Sequence, residues 1–142
     1  MGTDATNEID IEFARWGMAN APIGNYTVWP VKRESKPTSE TFHFTLADPN
    51  TTHRFQWKSD SLIFESLRGK GEKREASFYR WRFEPEDFLL RISQQPMPVL
   101  LNLWLFRGNA PTDGKEVEII LRRFKFTPAA GTDKIESPPP KP

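Results

Sequence analysis

Apolar and polar residues alternate with a period of two along most of this chain, in short runs bounded by Gly, Pro, Asn, Asp and Ser. Successive side chains of an extended backbone point to opposite faces, so the pattern predicts half-buried strands rather than helices. Strands are expected near 9–16, 26–32, 41–46, 52–57, 61–67, 78–83, 99–106 and 117–126. The stretches "WKSDSLIF" and "LRGKGEKREASFYRW" join successive runs through a short polar turn and a longer glycine-containing loop, which predicts antiparallel hairpins. "PEDFLLR", at 85–91, reads alternatively as a helical turn. After Phe126 the chain continues "TPAAGTDKIESPPPKP", too rich in proline and too poor in large apolar residues to offset its ordering entropy. The expected organisation is one all-β domain over 1–127, followed by a disordered tail over 128–142.

Composition narrows the function classes. The chain has 142 residues, enough for one core, and its 20 Lys and Arg against 19 Asp and Glu leave a net charge of +1. A nucleic-acid-binding domain usually carries a clear cationic excess, so none is expected as a partner. The basic cluster "GKGEKREASFYRWR" reads as a hairpin with solvated charges, diluted by nearby acids. With no cysteine and two histidines outside ligand spacing, neither a disulfide framework nor a metal site is predicted, and no cofactor is expected. The charge-free, apolar stretch 94–106 is interrupted by two prolines and an asparagine and falls short of the ~20 apolar residues that span a bilayer. No membrane association is predicted, and "MGTDAT" has no signal-peptide core.

The candidate chemistry lies in "NEIDIEF". On a strand, Glu8, Asp10 and Glu12 share one face while Ile9, Ile11 and Phe13 share the other. Neighbours on one face stand ~6.6 Å apart at Cα, so three carboxylates crowd together and at least one is expected to hold its proton above the usual range. A protonated acid beside an ionised carboxylate is what cleavage of a glycosidic bond requires; retaining enzymes hold the two groups ~5 to 5.5 Å apart. From spacing alone, a solvated acidic face explains the row equally well. A calcium-binding strand is a third reading, although such sites usually draw ligands from loops as well.

"EIDIEF" resembles the signature of glycoside hydrolase family 16, in the regular-strand form of lichenases and xyloglucan-active members rather than the bulged form of many laminarinases. The resemblance implies a curved antiparallel β-sandwich of the jelly-roll type and a retaining endo-β-glycanase acting on a β-glucan-type polysaccharide. It implies Glu8 as nucleophile, Glu12 as general acid and base, and Asp10 as the residue that tunes them. Downstream, "HRFQW" and "SDSLIFES" resemble the family's next pair of strands. "LNLWLF" resembles its Asn-apolar-Trp element, making Asn102 and Trp104 expected cleft residues on one strand face. Trp29 is expected to face the cleft from the neighbouring strand. Trp16, by parity along the carboxylate strand, is expected to border the site. An indole can stack on a sugar ring, and an amide can bind its hydroxyls. His53 is expected to be structural, because the family's histidine would fall at Thr51.

The match covers nearly all of this chain but only the C-terminal half of the family's domain. The expectation is a sandwich incomplete on its N-terminal side, with bare strand edges prone to self-association. A piece of a longer enzyme is the favoured account, with a half-domain that pairs with itself or another chain, or a decayed relative, as the alternatives. The family's calcium-completing Asp has no counterpart in "EVEIILRRFKF". Family resemblance also implies a secreted or periplasmic location. The rival class is a non-catalytic carbohydrate-binding sandwich.

Overall fold

A computed structural model of the chain describes residues 7–31, 36–46, 49–69 and 77–129. The proline-rich stretch from 130 onward and the loop at 70–76 lie outside the described residues. The architecture is all-β, as the period-two pattern predicts. β1 (Ile9–Phe13), β2 (Gly24–Val28) and β3 (Thr38–Phe42) form one antiparallel sheet in the order β1-β2-β3. β4 (Thr51–Trp57), β5 (Leu62–Arg68) and β6 (Ser77–Phe83) form a second in the order β4-β5-β6. Both hairpins expected from the turn sequences are present. The backbone N–H of Lys58 donates to the Ser61 carbonyl at 2.9 Å, closing the tight turn between β4 and β5. The 85–91 segment resolves in favour of the helical alternative, as the single turn α1 (Phe88–Arg91).

The two sheets pack through their apolar faces. Tyr26, Val28 and Phe42 from the first meet Leu62, Phe64 and Phe83 from the second, with Ile92 closing the end beyond α1. Tyr26 stacks on Phe64 at 4.8 Å between centroids, and Phe42 stacks on Tyr79 at 3.9 Å. Each fully buried side chain of this size contributes roughly 1.5–3 kcal/mol, which makes the aromatic layer the main source of cohesion. Gly24 is required within it. It pairs directly with Phe42 across β2 and β3, and the Phe42 ring occupies the space that a Cβ at position 24 would fill.

Polar groups inside the sandwich are matched to one another. The Tyr26 hydroxyl lies 2.5 Å from Ser66 Oγ, which in turn lies 2.8 Å from His53 Nδ1. The other ring nitrogen of His53 is 2.7 Å from Thr51 Oγ1, so both nitrogens are engaged and the network ties β2, β4 and β5 together. His53 is structural, as expected. Burial pushes its pKa down to about 4, which keeps the ring neutral.

The last two predicted strands are corrected. Residues 98–105 and 115–129 run without turn or bend, yet neither stretch joins a ladder among the described residues. A one-turn 3-10 helix at Phe106–Gly108 separates them, with Arg107 at φ 55° and Gly108 at φ 74°. Their apolar side chains stand in solvent. Alternation specifies which face a side chain takes but not which strand lies alongside, and here no neighbour is present. "VLLNLWLF" is apolar on both faces, the pattern of a strand covered on two sides, and it is covered on neither.

Candidate active site

β1 is an edge strand, paired only with β2 among the described residues. Its apolar side works as predicted: Ile9 and Ile11 pack against the core, and Phe13 reaches the His53 ring at 4.6 Å and Phe44 at 5.8 Å. Period two then turns Glu8, Asp10 and Glu12 to the opposite face. Because directly paired residues share a face, the register extends this surface across the sheet. Asp10 pairs with Thr27 and Thr27 with Ser39, while Glu12 pairs with Asn25.

The carboxylates are held by that second strand. Trp29 Nε1 donates to Asp10 Oδ2 at 3.0 Å, so the indole faces the acid row as expected. The Thr27 hydroxyl donates to Glu12 Oε2 at 3.2 Å and lies 3.1 Å from Ser39 Oγ. Asn25, which is buried, directs its amide to the carbonyls of Ala14 and Ile23, both at 3.3 Å, and so pins the point where β1 ends. Thr27 and Asn25 were not among the predicted site residues. The signal was available in "NYTVW": once Trp29 is assigned to the carboxylate face, two-residue spacing places Thr27 and Asn25 there with it.

Crowding has the expected electrostatic result, and it falls most heavily on the central residue. Desolvation by burial, then the charges of Glu8 and Glu12, raise the Asp10 pKa to about 7, against a smaller opposing effect of the Trp29 hydrogen bond. Burial also raises the Glu12 pKa, with the Thr27 hydrogen bond working against it. Near neutral pH, Asp10 therefore holds a proton far more readily than an ordinary aspartate. Each time it does, one charge is removed from between the two glutamates.

The aromatic residues divide. Trp16 does not continue the strand: β1 ends at Phe13, and Trp16 and Gly17 take positive φ of 53° and 78°, so the parity that assigned Trp16 to the carboxylate face does not apply. Its ring instead meets Trp104 at 6.3 Å and Phe106 at 5.4 Å, forming an aromatic cluster just past the end of β1. Asn102 and Trp104 are exposed on the unpaired 98–105 segment, not on a strand face, because that segment has no ladder to orient it. The structure thus brings together Glu8, Asp10, Glu12 and Trp29 on one surface. Trp16 and Trp104 form a separate aromatic group, and Asn102 joins neither.

Among the described residues, no cluster of His, Asp and Glu is arranged to hold a metal, and no helix is long and apolar enough to cross a membrane. No protein-family model, curated protein or solved structure matches the chain.

Proposed function

We infer that this chain carries the catalytic strand of a retaining endo-β-glycanase of the glycoside hydrolase family 16 type, acting on β-glucan-class polysaccharides within a jelly-roll sandwich. The observation that carries this reading is the outward row of three carboxylates whose middle member has its pKa raised to about 7 between two glutamates. A solvated acidic face does not account for it, because such a face leaves its acids hydrated and near their ordinary values.

In this mechanism Glu8, as a carboxylate, attacks the anomeric carbon while Glu12 gives its proton to the departing glycosidic oxygen. The covalent glycosyl ester at Glu8 is then released by water, whose proton passes to Glu12 as the oxygen bonds to the anomeric carbon. The raised Glu12 pKa suits a residue that must begin protonated and end protonated. Neutral Asp10 lowers the repulsion that would otherwise oppose an ionised Glu8. Trp29 and Thr27 fix the two shorter-range contacts that hold this alternation. A polysaccharide handled this way fits a secreted or periplasmic setting.

The aromatic cluster of exposed Trp104 with half-buried Trp16 and Phe106 supports a second reading, a sandwich that binds glycans without cutting them, since rings grouped in this way can stack on sugars. One experiment separates the two. Reducing ends released from mixed-linkage and β-1,3-glucans are measured for the full chain and for Glu8→Gln and Glu12→Gln, alongside binding to the same glucans. Catalysis predicts a loss of about 10²–10⁴-fold in rate for either substitution with binding retained. Unchanged hydrolysis in both variants would refute the carboxylate mechanism, and binding with no release by the parent chain would establish the second reading.

A further inference from the structure

The uncovered C-terminal stretches have a partner chemistry written into the same molecule. Segments 98–105 and 116–126 carry no turn or bend and join no ladder among the described residues, so their backbone N–H and C=O groups, except the Leu105 carbonyl that accepts from Gly108 N–H, are open to strand pairing. Among the described residues both sheets also end in open strands, β1 and β3 in one, β4 and β6 in the other. One chain therefore offers both unpaired strands and unpaired edges, the two halves of a β-augmentation contact. A second copy supplies the complement of each.

The area agrees. Between 99 and 126, twelve large apolar side chains are each between 52% and 73% exposed. At about 100 Å² of exposed surface apiece they leave roughly 1,200 Å² uncovered. That exceeds both the single patches monomers usually tolerate and the ~800 Å² per partner of a stable interface. The two segments also approach each other, since Leu101 lines a shallow groove with Leu121, Phe124 and the arginines Arg122 and Arg123, so the apolar side chains of both border one surface.

We propose that segments 98–105 and 116–126 are the self-association surface of this protein, exchanged reciprocally as added strands between two copies of the chain. A two-fold arrangement satisfies both contacts at once and closes, leaving no further copy to add. The inference is independent of any catalytic role for Glu8 and Glu12.

Sedimentation equilibrium of the full chain over a wide concentration range tests it, together with amide hydrogen exchange. The expected result is a defined dimer, with amides in 98–105 and 116–126 becoming protected as concentration rises. Leu101→Asp and Ile119→Asp should each weaken dimerisation at least ten-fold. Both side chains lie outside the packed core, and an unchanged near-ultraviolet circular dichroism spectrum would verify that the sandwich survives. A chain that remains monomeric throughout, that forms open-ended aggregates of no fixed mass, or whose dimer is indifferent to both substitutions would overturn the proposal. Monomer behaviour would leave a chemically different partner as the occupant of this surface.

Discussion

The six-stranded sandwich and the stretch beyond Gln95 are written in the same alternating pattern, yet one is packed and the other is bare. "NYTVW" in β2 is buried along nearly its whole length, whereas "VLLNLWLF", more apolar still, is exposed along nearly all of its own. The difference is the neighbour. β2 lies between β1 and β3 and beneath β5, while the later segment joins no ladder among the described residues. Hydrophobic content makes a strand worth covering; only a ladder and a facing layer cover it.

Substitution in the two regions should display this contrast at its largest. Phe64→Ala removes a buried ring stacked on Tyr26 and Trp81 and is expected to cost about 3–5 kcal/mol, measured by urea unfolding. Leu100→Ala, at a more hydrophobic-looking position in the sequence, should change sandwich stability by less than about 0.5 kcal/mol at dilutions where the chain is monomeric. A comparable cost at both positions would erase the distinction.

The pH dependence of stability should belong to the packed part and should be nearly flat for a physical reason. His53 has a depressed pKa of about 4, so its contribution is fully present above 6.5 and is lost as pH falls towards 4. Asp10 has a raised pKa of about 7, so its contribution is fully present below 3.8 and is lost as pH rises towards 7. The two oppose each other across one window, each worth on the order of 2 kcal/mol after allowance for solvent screening. Asp10→Asn removes one side of the balance. Its unfolding free energy should rise from pH 4 to pH 7 while that of the parent chain stays level, and a level profile in the variant would contradict the opposition.

The smallest expected effect concerns the floor of the acid row. Thr27→Val deletes the hydroxyl that lowers the Glu12 pKa. If Glu12 is the general acid, the alkaline limb of the pH-rate profile should move up by a few tenths of a unit, with stability altered by less than about 1 kcal/mol.

Most of the sandwich was legible because its signals are local. Turn residues between 58 and 61 and the alternation in "SLIFESLR" specify a hairpin without reference to the rest of the chain. The acid face of β1 followed from parity in the same way, whereas the side taken by Trp29 came from the family resemblance. Parity failed at Trp16, because β1 ends at Phe13 and the chain then turns through positive φ at Trp16 and Gly17, and a non-glycine residue in that conformation leaves little mark in sequence. Segments 99–106 and 117–126 failed differently. Their strand pattern was read correctly as pattern, but pairing depends on a partner that period-two spacing cannot name. The His53 network was half visible: a histidine out of step with the family's pattern suggested a structural role, whereas its bridge to Ser66 and Tyr26 required two sheets to meet.

The seat of Phe42 over Gly24 reaches beyond packing into how such a sequence can drift. A methyl group arriving at position 24 is tolerable only if the ring at 42 has already shrunk, and a shrunken ring at 42 first opens a void in the aromatic layer. Either order passes through a weakened ancestor, so the two positions are expected to be inherited as a unit across any lineage that keeps this sheet.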